Sequence, residues 1–172
     1  MTDPLLRFRA EFPILERSTY LVSNSLGAMP RAVPERLAEY AEAWATQGVR
    51  AWAAGWWEMP LRVGDEIAPL IGAGPGEVAM LPNVTIAQAS VLSALDYPPE
   101  RDTIVMTALD FPSVRYVYDG LATRLGARVR VVPSDDGGLS IDTERLLAAI
   151  DERTRLVAIS HVLFRSAYVV DV

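Results

Sequence analysis

The chain has 172 residues, 51% hydrophobic and 22% charged, with a formal net charge of −6; that composition supplies a sizeable core and excludes a disordered chain. With a pI near 4.8 and a mean hydropathy of +0.18, an electrostatic grip on nucleic acid or anionic lipid is not expected. Cysteine is absent, His161 is the single histidine and all sixteen basic residues are arginine, so disulfides, thiolate or poly-histidine metal sites and lysine chemistry are excluded within these residues.

No run of eighteen apolar residues occurs and Met1-Thr2-Asp3-Pro4 opens no charged-then-apolar leader, so neither a membrane span nor a signal peptide is expected, and a cytoplasmic location is. After an extended Thr19–Val22, Asn24-Ser25-Leu26-Gly27 reads as a loop. Pro30 and Pro34 suit the first turn of a helix, in which Val33, Leu37, Tyr40, Ala41 and Trp44 recur at spacings of three and four and predict one buried face. Trp52, Trp56 and Trp57 flank Gly55 and are expected in a core or a subunit interface. A second helix carrying Leu61, Ile67, Leu70 and Ile71 should end at Gly72 or Gly74. The run Gly72-Ala73-Gly74-Pro75-Gly76 precedes a strand candidate instead of following one, and reads as a turn, not a phosphate loop.

From Glu77 the pattern alternates. Val78–Leu81, Thr103–Met106, Ala127–Val132 and Arg155–Ile159 are predicted strands; Ile86–Leu95, Val114–Leu125 and Thr143–Ile150 are predicted helices. Strand and helix repeat at roughly 25-residue spacing, the pattern of parallel βαβ units. The domains expected are an N-terminal helical segment, residues 1–75, and the first part of an α/β domain, residues 76–172. Only a short Tyr168–Val172 run follows the last strand, so the sheet is expected to be incomplete, because a parallel sheet needs helices over both faces.

Ligands of open α/β sheets bind outside the carboxyl ends of the strands, where three segments carry polar residues. Pro82-Asn83-Val84-Thr85 opens a helix: Asn83 is an N-cap candidate, and free N–H groups with the Thr85 hydroxyl suit a phosphate. Asp110-Phe111-Pro112-Ser113 sets an aromatic before a second helix, either as a cover for a planar ligand or as ordinary core. Ser160-His161-Val162 ends the last strand; His161 is an acid–base candidate, a lid or a structural histidine. Arg165 is a candidate for a substrate carboxylate or for a plain surface ion pair. No metal-ligand spacing, GxGxxG or GxSxG occurs.

Several of these segments together resemble the N-terminal part of kynureninases, pyridoxal-phosphate enzymes of the aminotransferase class V group, fold type I. The likeness is carried by Tyr20-Leu21, Asn24-Ser25-Leu26-Gly27, Gly55-Trp56-Trp57, Pro60–Asp65, Ala68–Ala73, Pro75–Val78, Asp110–Ser113, Ser160-His161-Val162 and Asp171, in one order along the chain. The resemblance implies that Val84 and Thr85 hold the cofactor phosphate, that Phe111 stacks on the ring with Ser113 near, and that Ser160 reaches the cofactor. It implies that Asn24 and Ser25 lie near the substrate in a site formed at a homodimer interface; His161 and Arg165 join them as substrate-site candidates. The expected activity is hydrolysis of an L-kynurenine-type 3-acyl-alanine to alanine and an aromatic acid. A class V transaminase, cysteine desulfurase-like or epimerase-like enzyme is the alternative, and a non-catalytic interaction module the alternative of another class.

Three departures stand beside the likeness. The family usually has aspartate where this chain has Val114, and asparagine where it has Leu163; its Arg-Thr-Gly is here Arg165-Ser166-Ala167. The family's cofactor aspartate and Schiff-base lysine fall beyond the position matching Val172. No catalytic residue is therefore expected among these residues, and the chain by itself is expected to be inactive.

Overall fold

A computed structural model describes residues 3–171. The chain folds as two compact units, Met1–Met80 and Leu81–Val172.

In the first unit, short 3-10 turns over Pro4–Glu11 and Pro13–Glu16 precede α1 (Val33–Gln47). Pro34 sits in the first turn of α1, where its missing N–H costs no hydrogen bond. Gly48, at φ 54°, ends the helix. The face predicted to be buried is not: Leu37, Tyr40 and Trp44 are exposed and no α1 side chain is fully buried. Amphipathic spacing marks an apolar stripe but does not provide the layer that covers it. Nor do the tryptophans form a core. Trp56 stacks on Tyr40 at 4.7 Å and Trp52 lies 4.8 Å from Trp57, yet Trp52 and Trp57 are exposed.

The tryptophans ride on a wide π-type turn, Trp52–Trp56, which Gly55 breaks at φ 130°. Next, α2 (Met59–Ile67) runs into a 3-10 turn over Ala68–Leu70 and stops at Gly72, as the glycines predict. Gly64 is buried on α2 with the Val78 carbonyl where a Cβ would stand. Val78–Leu81 is not a strand: among the described residues it has no ladder partner, and the Met80 N–H donates to the Pro60 carbonyl.

The second unit is α/β, as expected. It comprises α3 (Val84–Ser93), β1 (Thr103–Thr107), α4 (Pro112–Leu125), β2 (Arg128–Val132), α5 (Thr143–Ala148) and β3 (Thr154–Ala158). The strands are parallel in the order β2-β1-β3, with Ile104 opposite Val129 on one side and Leu156 on the other. Every residue of the central strand is buried, as its unbroken apolar run requires. Alternation along β1 feeds two cores. Ile104 and Met106 pack with Leu92, Val114, Tyr118 and Ala122 from α3 and α4. Val105 points the other way, into Val132, Ile141, Leu146, Leu163 and Val170.

Asp102 ties the amino ends of the strands together. Its carboxylate accepts from Arg128 at 2.6 and 2.8 Å and from Arg153 at 2.8 Å. The Arg128 guanidinium, then Arg153, holds this carboxyl down at about 2. No helix among the described residues is long and apolar enough to cross a membrane.

Candidate cofactor site at the carboxyl ends of β1 and β3

From β1 the chain passes through α4 to β2 on one side, then returns through α5 to β3 on the other side of β1. The reversal makes the carboxyl ends of β1 and β3 a topological switch point, where open α/β sheets have their ligand crevice. Asp110–Phe111 leaves one lip and Ser160–His161 the other.

The lips are joined by a residue whose role the sequence reading did not single out. Asp110 is 7% exposed and its side chain accepts four hydrogen bonds. Its Oδ2 takes the Thr107 N–H at 3.0 Å and hydroxyl at 2.9 Å; its Oδ1 takes the Ser160 N–H and hydroxyl, both at 2.8 Å. A signal was present, since an acidic residue just after an apolar strand and just before a helix is placed to cap strand ends.

Phe111, next in the chain, is the extended residue just before α4, and Pro112 takes the first helical position. The Phe111 ring is 42% exposed and meets Phe164 edge to face at 4.9 Å; the reading as ordinary core does not hold. Ser113 is half-buried and its hydroxyl has no partner among the described residues. Tyr118, a turn and a half further along α4, is fully buried. Burial, with Tyr97 and Asp110 adding to it, pushes its phenol up to about 12. It donates to Gln88 of α3, which ties the second turns of α3 and α4 together.

Gln88 lies one turn beyond Thr85. The Asn83 side chain caps α3 by accepting from the Ile86 N–H at 3.0 Å. The N–H groups of Val84 and Thr85 and the Thr85 hydroxyl have no partner among the described residues. Unpaired N–H groups at the positive end of a helix dipole bind anions.

After Ser160 the chain turns outward. His161 is exposed, and its carbonyl accepts from the Val170 N–H at 2.8 Å. Arg165 is exposed and, among the described residues, makes no ion pair, so the surface-bridge alternative does not hold. Ala167 adopts φ 57°, a left-handed value that costs a residue with a Cβ about 1 kcal/mol. Val114 and Leu163 are 7% and 2% exposed, each a core residue on its own face of the sheet. Asn24 and Ser25 lie on an exposed turn of the first unit; Val84, Thr85, Phe111, Ser113, Ser160, His161 and Arg165 all belong to the second. A hollow of about 490 Å³ beside Arg128, Arg130 and Arg153 opens at the amino ends of the strands, away from this site.

A parallel, doubly covered sheet with an anion-ready helix start and an exposed aromatic at its switch point defines an α/β nucleotide- or coenzyme-binding class of fold. The sequence matches the aminotransferase class-V family over residues 19–163, and the chain belongs to that family. It is 35% identical over 176 residues to a kynureninase of Burkholderia pseudomallei strain 1106a, covering 98% of this chain and 41% of that protein. With a kynureninase of Pseudomonas fluorescens the identity is 37% over 178 residues, with the same two coverages. The chain thus spans about two fifths of the length of these relatives.

Among solved structures, the cystine C–S lyase C-DES in complex with cysteine persulfide superposes with a TM-score of 0.75 at 25% identity, over 92% of this chain and 42% of that one. A C-DES mutant with glycine covalently linked to its PLP cofactor gives 0.76 at 24% identity, over 98% and 43%, and shares the fold.

Proposed function

We propose that this chain forms the phosphate- and ring-binding part of a pyridoxal-phosphate enzyme resembling kynureninase, which cleaves the Cβ–Cγ bond of an L-kynurenine-type 3-acyl-alanine. The observation that carries the reading is the switch point itself: Phe111, Ser113 and Ser160 gather at two adjacent strand ends, beside a helix start whose N–H groups are free. That set fits a planar ring bearing a phosphate. The 172 residues hold no lysine, so the covalent bond to the cofactor that the resemblance implies cannot be made by them.

When bound, pyridoxal phosphate supplies an electron sink for the carbon skeleton of an amino acid. This chain's residues hold and orient it. Val84 and Thr85 bind the phosphate through two N–H groups and a hydroxyl, with the α3 dipole behind them. Phe111 lays apolar surface against the ring and keeps water from it. Ser113 and Ser160 orient the ring's polar edge. Arg165 is free to pair with a substrate carboxylate, and the exposed His161 can take or give a proton at its ring nitrogens. Asn24 and Ser25 are assigned to the substrate side, in a homodimer acting in the cytoplasm.

Val114 and Leu163 favour a second reading, in which the class V scaffold acts on another amino acid as a transaminase, C–S lyase or epimerase. Both are buried core residues at positions where kynureninases present polar ones.

The protein purified from its native source, supplied with pyridoxal phosphate and L-kynurenine, should release fluorescent anthranilate. Bound cofactor without anthranilate, but with turnover of cystine or an amino-group acceptor, selects the second reading. Failure to bind pyridoxal phosphate defeats both and leaves a non-catalytic interaction module.

A further inference from the structure

We infer that Asp110 is a positioning residue that fixes Ser160 as a hydrogen-bond acceptor toward the group held at the carboxyl ends of β1 and β3. The inference rests on the cofactor reading above and adds to it the polarity of one of its contacts.

A carboxylate offers acceptors only. Two of the four groups on Asp110 are backbone N–H groups, which can only donate, and the other two are hydroxyls. Each hydroxyl owns one proton, and the carboxylate takes it. Thr107 has its remaining capacity drawn inward, because its oxygen also accepts from the Leu109 N–H at 3.2 Å. The Ser160 oxygen carries no second partner among the described residues. Its lone pairs are what it has left, so toward a ligand it accepts and does not donate.

A simple tether between strand ends would not need a charge. No arginine pairs with Asp110 among the described residues, and its carboxylate is compensated by four neutral donors. Asparagine could satisfy one pair of donors, but its NH₂ would face the other pair. A carboxylate is the one common side chain of this length that orients both hydroxyls alike. Because Phe111 follows directly, the same anchor sets where the exposed ring starts.

Asp110→Asn sends an NH₂ donor toward one hydroxyl and frees that hydroxyl's proton to point outward. Calorimetric titration with pyridoxal phosphate, and separately with inorganic phosphate, reads the effect on the whole protein. Asp110→Asn should weaken pyridoxal phosphate by about tenfold or more and leave inorganic phosphate unchanged, since phosphate uses Val84 and Thr85. Ser160→Ala should show the same selective loss, and the double variant no further loss. Equal weakening of both ligands, an unchanged affinity for pyridoxal phosphate, or fully additive losses would each overturn the assignment. Wild-type protein that binds no pyridoxal phosphate defeats the cofactor reading instead. Amide exchange without ligand then decides the tether: a Ser160 N–H as protected in Asp110→Asn as in the wild type overturns it, and a deprotected one upholds it.

Discussion

Phe111 and Phe164, fifty-three positions apart by number, meet edge to face with centroids 4.9 Å apart and planes at 71°. One ring belongs to the lip after β1 and the other to the segment after β3. An edge-to-face contact occupies only part of a ring's surface, and Phe111 stays 42% exposed beside the start of α4.

That geometry separates two contributions to ligand binding. Phe111→Ala should weaken pyridoxal phosphate by about 1–3 kcal/mol, as loss of an aromatic stacking partner does, and leave inorganic phosphate binding unchanged. Thr85→Ala should weaken both ligands. Paired titrations of the two variants check this, and a loss of phosphate binding in Phe111→Ala would break the division of labour.

Acid should also act at the opposite end of the sheet. Asp102 titrates at about 2 in the folded chain because Arg128 and Arg153 hold its charge, against about 3.9 in an unfolded one. Its folded pKa is depressed, so its contribution is complete above about pH 4 and is lost as pH falls toward 2. Asp102→Asn should be less stable than the wild type at pH 7 and should flatten the urea-midpoint profile between pH 4 and 2. A profile as steep as the wild type's would assign that acid sensitivity elsewhere.

Gly64→Ala reverses a familiar sign. In an open helix the change stabilises by up to about 1 kcal/mol, but here the added Cβ meets the Val78 carbonyl. Backbone must shift, and the variant should lose about 1–3 kcal/mol. Gly27→Ala is the control, since Gly27 has open space around its Cβ position. Tryptophan fluorescence during urea unfolding reports both, as all four tryptophans lie in the first unit.

Ala167 offers the opposite opportunity. Glycine adopts φ 57° without the Cβ penalty that alanine carries there. Ala167→Gly should therefore raise stability by up to about 0.5 kcal/mol, net of the entropy glycine adds to the unfolded chain. A lowered melting temperature would show that the turn does not strain alanine.

The second unit was the legible part of the sequence. Thr103–Met106, Ala127–Val132 and Arg155–Ile159 are short apolar runs between turn residues, and each became a strand within a residue or two. Asn83 capped its helix as its position before Val84 suggested. Val78–Leu81 has the same local character and failed, because a strand is a pairing and composition carries no partner. The apolar spacing in α1 was real, but spacing does not say what covers a face. Asp110 stood in plain view inside a motif. Its four donors come from Thr107 and from Ser160, fifty residues on, and only the fold brings the second of these to it.

Two side chains one residue apart on β1, Val105 and Met106, belong to different cores. The strand is a shared wall, and neither side can be repacked without leaning on the other. A methylene removed at Ile104 loosens the layer that carries α4, and with it Phe111. The same loss at Val105 loosens the layer that holds Leu163 and the outgoing loop with His161. Variation at these neighbouring positions would tune the two lips of the crevice separately, the Phe111 side from one and the His161 side from the other.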